Sequence, residues 1–359
     1  MRDIIEESVE RLFLDQLNAP VIASAETAWP AALWNVIEET GITRATGLAS
    51  AGGGVPWADA YVIVRAIGQH AVPLPVSETL FAHWLLAGAG LEAPSGPMTF
   101  TTDSLHLSES GRVSGRLGNL PWGRNASHVI AIARKSSGRA SLVQLSTANA
   151  TMELSRNIAG EPRDVLILDH AMPNAVGLLP DGFDRDVMRL GGALLRSAQM
   201  AGGLQRVLRE CIQYAQVRRQ FGRTIGSFQA VQHDIAILAE HTAAAGRIAE
   251  TAFASTRASL PPLHVGSAKI VASDAASTGA ALAHGIHGAI GLASDHALHF
   301  VTRRLWAWRS EYGSREAWAQ YIGRLTCEAG ESNFWSTITN GTFEQASAAE
   351  AANGVVLGY

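Results

Sequence analysis

Tyr214-Ala-Gln-Val-Arg-Arg-Gln-Phe-Gly-Arg-Thr-Ile-Gly-Ser-Phe-Gln-Ala-Val-Gln232 interrupts the most helical part of a 359-residue chain. Ahead of it, Leu190, Leu194, Ala201, Leu204, Leu208 and Cys211 set one apolar stripe along a helix that reaches Tyr214. Behind it, Ser227 is a suitable N-cap for a second long helix. The stretch between them puts arginine charge, a side-chain amide and an aromatic into one short loop. Such a loop can grip a phosphate bidentately while the aromatic packs on a flat ring. A plain helix hairpin with solvated arginines is the other reading that spacing alone allows.

Working outward, further helices are expected around Phe228 to Ala254, Val265 to Ala283, Asp295 to Trp308 and Ser314 to Ile338. Their lengths and short breaks suit an antiparallel four-helix bundle. Toward the N-terminus the texture changes. Val129 to Ala133, Ser141 to Leu145 and Asp164 to Leu168 are strand-like runs bounded by turn residues. Closely spaced strands of this kind suggest a small antiparallel sandwich or barrel. Before Pro94 the pattern is helical again, around Asp3 to Gln16, Trp29 to Thr40, Trp57 to Gly68 and Ser77 to Gly88. The expected chain is therefore mostly α with a central β domain: helices over 1–94, strands over 95–173, and a bundle with tail over 174–359.

Composition narrows the function. The chain is 47% apolar and 17% charged, enough to bury a sizeable core. Twenty-eight basic residues against 32 acidic ones leave a net charge of −4, with a pI near 6.3, so neither nucleic acid nor an anionic membrane is an expected partner. Two isolated cysteines, Cys211 and Cys327, argue against a disulfide framework or a cysteine zinc site and suit a reducing cytoplasm. No apolar run is long enough to span a bilayer, and the acidic amphipathic N-terminus does not resemble a signal peptide. Lys135 and Lys269 are the only lysines, and neither sits in a phosphate-binding P-loop or a Schiff-base motif. No Gly-x-Gly-x-x-Gly follows a strand, and Gly52-Gly53-Gly54 reads as a loop.

The Tyr214–Gln232 stretch resembles the signature of the acyl-CoA dehydrogenase family, Tyr-x-x-x-Arg-x-Gln-Phe-Gly followed by Phe-Gln. The order of helices, β domain and four-helix bundle is similar as well, so the likeness spans nearly the whole chain. It implies an FAD flavoprotein, usually tetrameric, acting on acyl-CoA thioesters and passing electrons to an electron-transfer flavoprotein or similar acceptor. In the family this loop reaches across a dimer interface to the neighbour's FAD. The resemblance then makes Arg218 the pyrophosphate ligand, Gln220 and Phe221 its companions, and Gln229 the adenosine-side contact, with Arg219 on the surface. A Gly-rich turn, Gly285-Ile-His-Gly-Ala-Ile-Gly291, stands where the family brings backbone N–H groups to the same cofactor; Gly285 and Gly288 are its contacts. His287 within it is expected to pack or be solvated rather than act as a base.

Departures from the family pattern are equally specific. Family members carry Gln where this chain has Gly285, and Thr-x-Glu where it has Ala293-Ser-Asp295. The family's Thr-Glu-x-x-x-Gly-Ser-Asp motif has no counterpart before Thr102. Leu120-Pro-Trp-Gly-Arg124 occupies the place of a later flavin contact, making Trp122 either a ring at the flavin edge or a buried strand-end residue. The family's glutamate base sits in a Glu-Gly pair after the fourth bundle helix, where this chain reads Glu311-Tyr312-Gly313. Its other known place is near Gly192, with no adjacent carboxylate. Glu311 is then the best candidate for a displaced base. The alternative within the family is a base-less partner in a heteromeric dehydrogenase, forming half of a heterotetramer rather than a homo-oligomer. Outside catalysis stands a flavin-free assembly partner of a catalytic subunit.

Overall fold

A computed structural model describes residues 1–47, 54–138, 140–148, 150–180, 183, 186–293, 296–331 and 335–337. Gly52, Gly53, Asp184, Ser294, Asp295 and the chain beyond Thr337 lie outside the described residues. The N-terminal helices are α1 (Arg2–Gln16), α2 (Ala19–Ala25), α3 (Ala31–Glu39), α4 (Trp57–Gln69) and α5 (Val76–Gly88). Sequence periodicity misses α2, whose seven residues are too few to show a period. Its start is set instead by Asn18, which accepts the Val21 N–H at 3.0 Å, and by a proline in the first turn. Helices α4 and α5 are buried nearly all round, the polar Arg65, Gln69, Glu78 and His83 included.

Seven strands follow: β1 (Met98–Leu107), β2 (Val113–Pro121), β3 (His128–Arg134), β4 (Ala140–Ser146), β5 (Thr151–Glu153), β6 (Arg163–Ala171) and β7 (Ala175–Leu178). They form one sheet in the order β5-β6-β2-β1-β3-β4-β7. The sheet is mixed rather than wholly antiparallel, because β3 runs parallel to β1 with Met98 opposite His128. Strand β2 fills one edge of β1, so the chain turns at Pro121–Ser127 and re-enters on the other. Five consecutive residues are buried in each of β3 and β4, the pattern of strands covered on both faces. Met98, Phe100, Ile130, Ile132 and Leu142 join the core of the N-terminal helices, while Leu117, Val129, Ala131, Val143 and Leu166 close a second, smaller core.

The C-terminal helices are α6 (Val187–Val217), α7 (Gln229–Ser255), α8 (Pro262–His287), α9 (Leu298–Trp308) and α10 (Arg315–Ala329). A short hairpin, β8 (Arg219–Gln220) and β9 (Arg223–Thr224), separates α6 from α7. Helix α6 is the central pillar and touches α4 as closely as backbones allow. A Cβ on Gly202 would lie 1.9 Å from the Arg65 carbonyl oxygen, and one on Gly68 would lie 1.9 Å from that of Gln199. These paired glycines let two helices cross without side chains between them. Both thiols are free, Cys211 buried and Cys327 exposed. No helix of the described residues is long and apolar enough to cross a membrane.

Candidate functional site

Helix α6 ends because Arg218 leaves helical geometry at ψ 128°, and the chain then doubles back. Arg219 pairs with Thr224 and Gln220 with Arg223. The two turn residues, Phe221 (φ 51°) and Gly222 (φ 78°), both lie in the left-handed region, as a two-residue hairpin turn demands. Glycine adopts this conformation freely; phenylalanine does so at a cost. Phe221 is nonetheless 91% exposed at the tip. Arg223 stacks 4.1 Å from the Phe228 ring centroid, Phe221 meets the same ring edge-on at 6.1 Å, and the Ile225 N–H donates to the Arg218 carbonyl at 2.9 Å. Ser227 does not cap α7, which begins at Gln229. Its hydroxyl donates instead to the Thr224 carbonyl at 2.7 Å within a 3-10 turn.

Arg218 and Gln220 face the end of α8 across a cleft of about 490 Å³, lined also by Tyr214, Gly285, His287 and Gly288. A Cβ at Gly285 or Gly288 would meet nothing within 4 Å, so the glycines leave this wall open. The Gly288 N–H donates to the His284 carbonyl, so at that position the turn offers space rather than a spare donor. His287 is buried, stacks on Tyr214 at 4.5 Å and hydrogen-bonds through Nδ1 to the Ala283 carbonyl at 2.9 Å. Burial holds its pKa below the usual histidine value. It therefore packs, as expected. Gln229 is exposed at the first residue of α7 and does not line the cleft.

A second cleft, of about 750 Å³, opens between the sheet and the bundle. Thr101 from within β1, Asn119 and Pro121 from the end of β2, Ser155–Ile158 from the turn after β5, Arg189 from α6 and the segment after α9, Glu311 included, line it. Trp122 does not line this cleft; it is 5% exposed and edge-on to Trp29 at 6.2 Å.

A lattice of three arginines and three glutamates reaches the cleft wall at Arg163 and Glu311 and continues beneath it. Arg163 donates to Glu311 at 2.8 and 3.0 Å and to Glu161 at 2.9 Å. Arg196 donates to Glu311 and to Glu78, each at 2.7 Å. Arg304 donates to Glu161 at 3.1 Å, and Asn157 reaches both Glu161 and Glu311. Burial alone would raise the Glu311 pKa, but Arg163 and Arg196 outweigh it and hold the carboxyl well below the usual carboxylate range. A carboxylate so engaged is a poor proton acceptor. The displaced-base expectation for Glu311 thus meets a carboxylate used as a structural clamp. Tyr312 sits against Gly192 and stacks on Phe100 at 5.5 Å. Lys269, fully buried, donates to Ser273 at 3.2 Å and to the Arg309 carbonyl at 2.6 Å, and burial pushes its pKa down to about 7. Sequence reading overlooked this lattice. Its one visible signal is Arg196, a charge inside an otherwise apolar and small-residue stretch.

Residues 181–325 match the family described as acyl-CoA dehydrogenase, C-terminal domain. The acyl-CoA dehydrogenase IpdE2 of Mycobacterium tuberculosis is 28% identical over 312 residues, covering 84% of this chain and 90% of that protein. Among solved structures, the ChsE4-ChsE5 complex from Mycobacterium tuberculosis has a similar fold (TM-score 0.78, 20% identity, 91% of this chain and 97% of that one). So does a glutaryl-coenzyme A dehydrogenase in complex with glutaryl-CoA (TM-score 0.77, 20% identity, 90% and 94%).

Proposed function

We propose that the chain is a member of the acyl-CoA dehydrogenase family and one subunit of a heteromeric FAD-dependent acyl-CoA dehydrogenase, as the match of its C-terminal region and the likeness to IpdE2 support. It presents the Arg218–Gln220 hairpin to FAD at a subunit interface, and a second subunit takes the α-proton. The observation that carries this reading is the hairpin: a stiff turn that holds Phe221 out in solvent and sets Arg218 and Gln220 on an open, glycine-walled cleft. Those groups fit a pyrophosphate. The guanidinium offers charge-assisted donors, the Gln220 amide a further donor, and the glycine wall clears the approach. Gln229, exposed at the start of α7, stands on the face that a neighbouring subunit's cofactor would meet.

Bound FAD would supply the acceptor for the hydride that leaves the acyl β-carbon. What this chain's own residues do is bind and orient. No carboxylate is free at either family base position: Glu311 is clamped, Tyr312 replaces the glutamate, and Gly192 has no side chain. A missing general base lowers the rate by about 10²–10⁴. The base must then come from a partner, and similarity to a complex of two different proteins supports the heteromeric form. The acyl-CoA thioester and an electron-transfer flavoprotein or similar acceptor complete the scheme.

The test is flavin absorbance and anaerobic bleaching by saturated acyl-CoAs, with the chain alone and co-expressed with the product of a neighbouring dehydrogenase gene. Rapid bleaching is expected only with the partner. Rapid bleaching by the lone chain, abolished in Glu311→Gln, would establish a self-sufficient enzyme instead. A colourless protein in both states would mark a flavin-free assembly subunit.

A further inference from the structure

Arg309, which caps the C-terminus of α9, is held from both ends by one face of α8. Lys269 Nζ donates to its carbonyl at 2.6 Å and Ser273 Oγ donates to the same oxygen at 3.2 Å. Its own Nη1 donates to Ser277 Oγ at 2.8 Å. Lys269, Ser273 and Ser277 are spaced four apart, so a single helical row serves this one residue. The row costs stability. Lys269 is wholly buried, and a buried amine either gives up its proton or keeps a charge out of water. An apolar side chain would pack there at lower cost, so the row is explained by where it puts Arg309.

Arg309 stands on the wall of the larger cleft with Arg156, Arg163 and Arg189, against one carboxylate, Glu311. Glu311 is already neutralised by Arg163 and Arg196. Arg189 lies over the Trp318 and Tyr321 rings at 4.4 and 4.6 Å, with Asp186 3.6 Å away. Arg156 and Arg309 differ from these. Among the described residues neither forms an ion pair, and each is fixed through Nη1 by neutral acceptors. Arg156 donates to the Glu26 and Gly160 carbonyls at 2.6 and 2.7 Å, as Arg309 does to Ser277. On its far side Arg309 also borders a smaller cleft with Asp274 and Glu316, where Arg315 engages Asp274 at 2.6 Å. Two guanidiniums that are pinned yet unpaired make a preformed grip for an anion, because little side-chain freedom is left to lose on binding.

The rest of the wall describes the other half of the ligand. Trp306 and Ile158, both exposed, bring apolar surface to the same cleft, beside the hydroxyls of Thr101 and Ser310. A plain hydrocarbon would strip water from the guanidiniums and give nothing back. A bare inorganic anion would leave Trp306 and Ile158 uncovered. We propose that the larger cleft binds an amphipathic organic anion, an aliphatic or ring body ending in a carboxylate or a phosphate. Arg156 and Arg309 take its charge, Trp306 and Ile158 take its body, and Lys269 is the positioning residue for Arg309. The site is separate from the cleft beside Arg218, and its test uses neither flavin nor a partner subunit.

Isothermal titration of the full chain with octanoate, octyl phosphate and uncharged octanamide decides it. Octanoate, octyl phosphate or both should bind roughly tenfold or more tightly than octanamide, and the tighter anion shows which charged group the cleft recognises. Arg309→Gln and Arg156→Gln should each weaken that anion by roughly tenfold, the scale of one charge-assisted contact. Neither side chain is buried, so both variants are expected to fold. Lys269→Met should weaken the same anion while gaining stability at pH 6, a pairing that a merely structural lysine would not produce. No binding of either anion by the wild-type chain would overturn the proposal, as would octanamide binding equally well or undiminished affinity in either arginine variant. Unchanged affinity in Lys269→Met would overturn the positioning role. Arg218→Ala should leave these affinities unmoved, so failure of the flavin reading would appear separately.

Discussion

Arg196 Nε donates to Glu311 Oε2 at 2.7 Å, tying the middle of α6 to the segment after α9. The far side of the same guanidinium donates to Glu78 on α5, and Glu311 is also held by Arg163 of the sheet. One ion-pair lattice thus joins the N-terminal helices, the sheet and the bundle directly beneath the larger cleft. Buried charges of this kind gain little over an apolar core, yet each becomes a liability once its partner is removed.

Glu311→Gln should therefore lower stability by about 1–3 kcal/mol in urea titration, since it takes one of two carboxylates from Arg163 and one of two from Arg196. The acid limb follows from the same pairs. Glu311 and Glu161 both have folded pKa values below the usual carboxylate range. Groups shifted down stabilise the fold above their unfolded pKa of about 4.3, and that stability is lost as pH falls toward the folded values. Wild type should lose stability steeply below pH ~4, and Glu311→Gln less steeply. Equal acid slopes would show that the lattice does not set acid stability.

Lys269 has the opposite sign. Its folded pKa is near 7, while the unfolded chain holds the proton to about 10.4. Below pH 7 both states are charged and the burial penalty is fully present. Between pH 7 and about 9 the unfolded state binds more protons, so stability should rise with pH. Above that, Cys211 and Tyr61, whose pKa values burial raises to about 12, titrate first in the unfolded chain and reverse the trend. Lys269→Met should be more stable at pH 6 and flat from pH 7 to 9. Chemical denaturation at several pH values measures both.

Gly202→Ala should cost about 3 kcal/mol, because the added methyl would meet the Arg65 carbonyl of α4 at 1.9 Å and force the helices apart. Gly285→Ala, where a Cβ meets nothing, should change stability by no more than about 0.5 kcal/mol. Thermal melts of the two variants side by side measure the difference.

Arg218→Ala should weaken flavin retention by roughly one to two decades, the scale of losing a charge-assisted contact worth about 1.5–3 kcal/mol. Phe221→Ser, at a side chain 91% exposed, should leave the chain's own stability within about 0.5 kcal/mol while reducing assembly with a partner subunit. Dialysis followed by flavin absorbance reads the first, and light scattering of the co-expressed complex reads the second.

Helix order, the break at Arg218–Thr224, the strand-rich middle and the free cysteines were legible in the sequence. Each depends on near neighbours: apolar spacing along one helix, turn residues at one bend, composition over one segment. The family likeness came from the same local signal, a motif contained within nineteen residues. Ser227 shows the limit even there, because a 3-10 turn used its hydroxyl before the helix could.

Tertiary structure alone decided the rest. Arg196 and Glu311 are 115 residues apart, and Arg163 and Glu311 are 148 apart. No periodicity pairs such residues, so the sequence offers Glu311 as a candidate base and gives no sign of the two arginines that donate to it. Trp122, open in the sequence between a ring at the flavin edge and a buried strand-end residue, meets Trp29 from the link between α2 and α3, a contact no local pattern signals. Gly192 and Tyr312 looked like two independent losses of a carboxylate. They are one contact, because close packing lets a ring occupy only the volume that a missing side chain leaves.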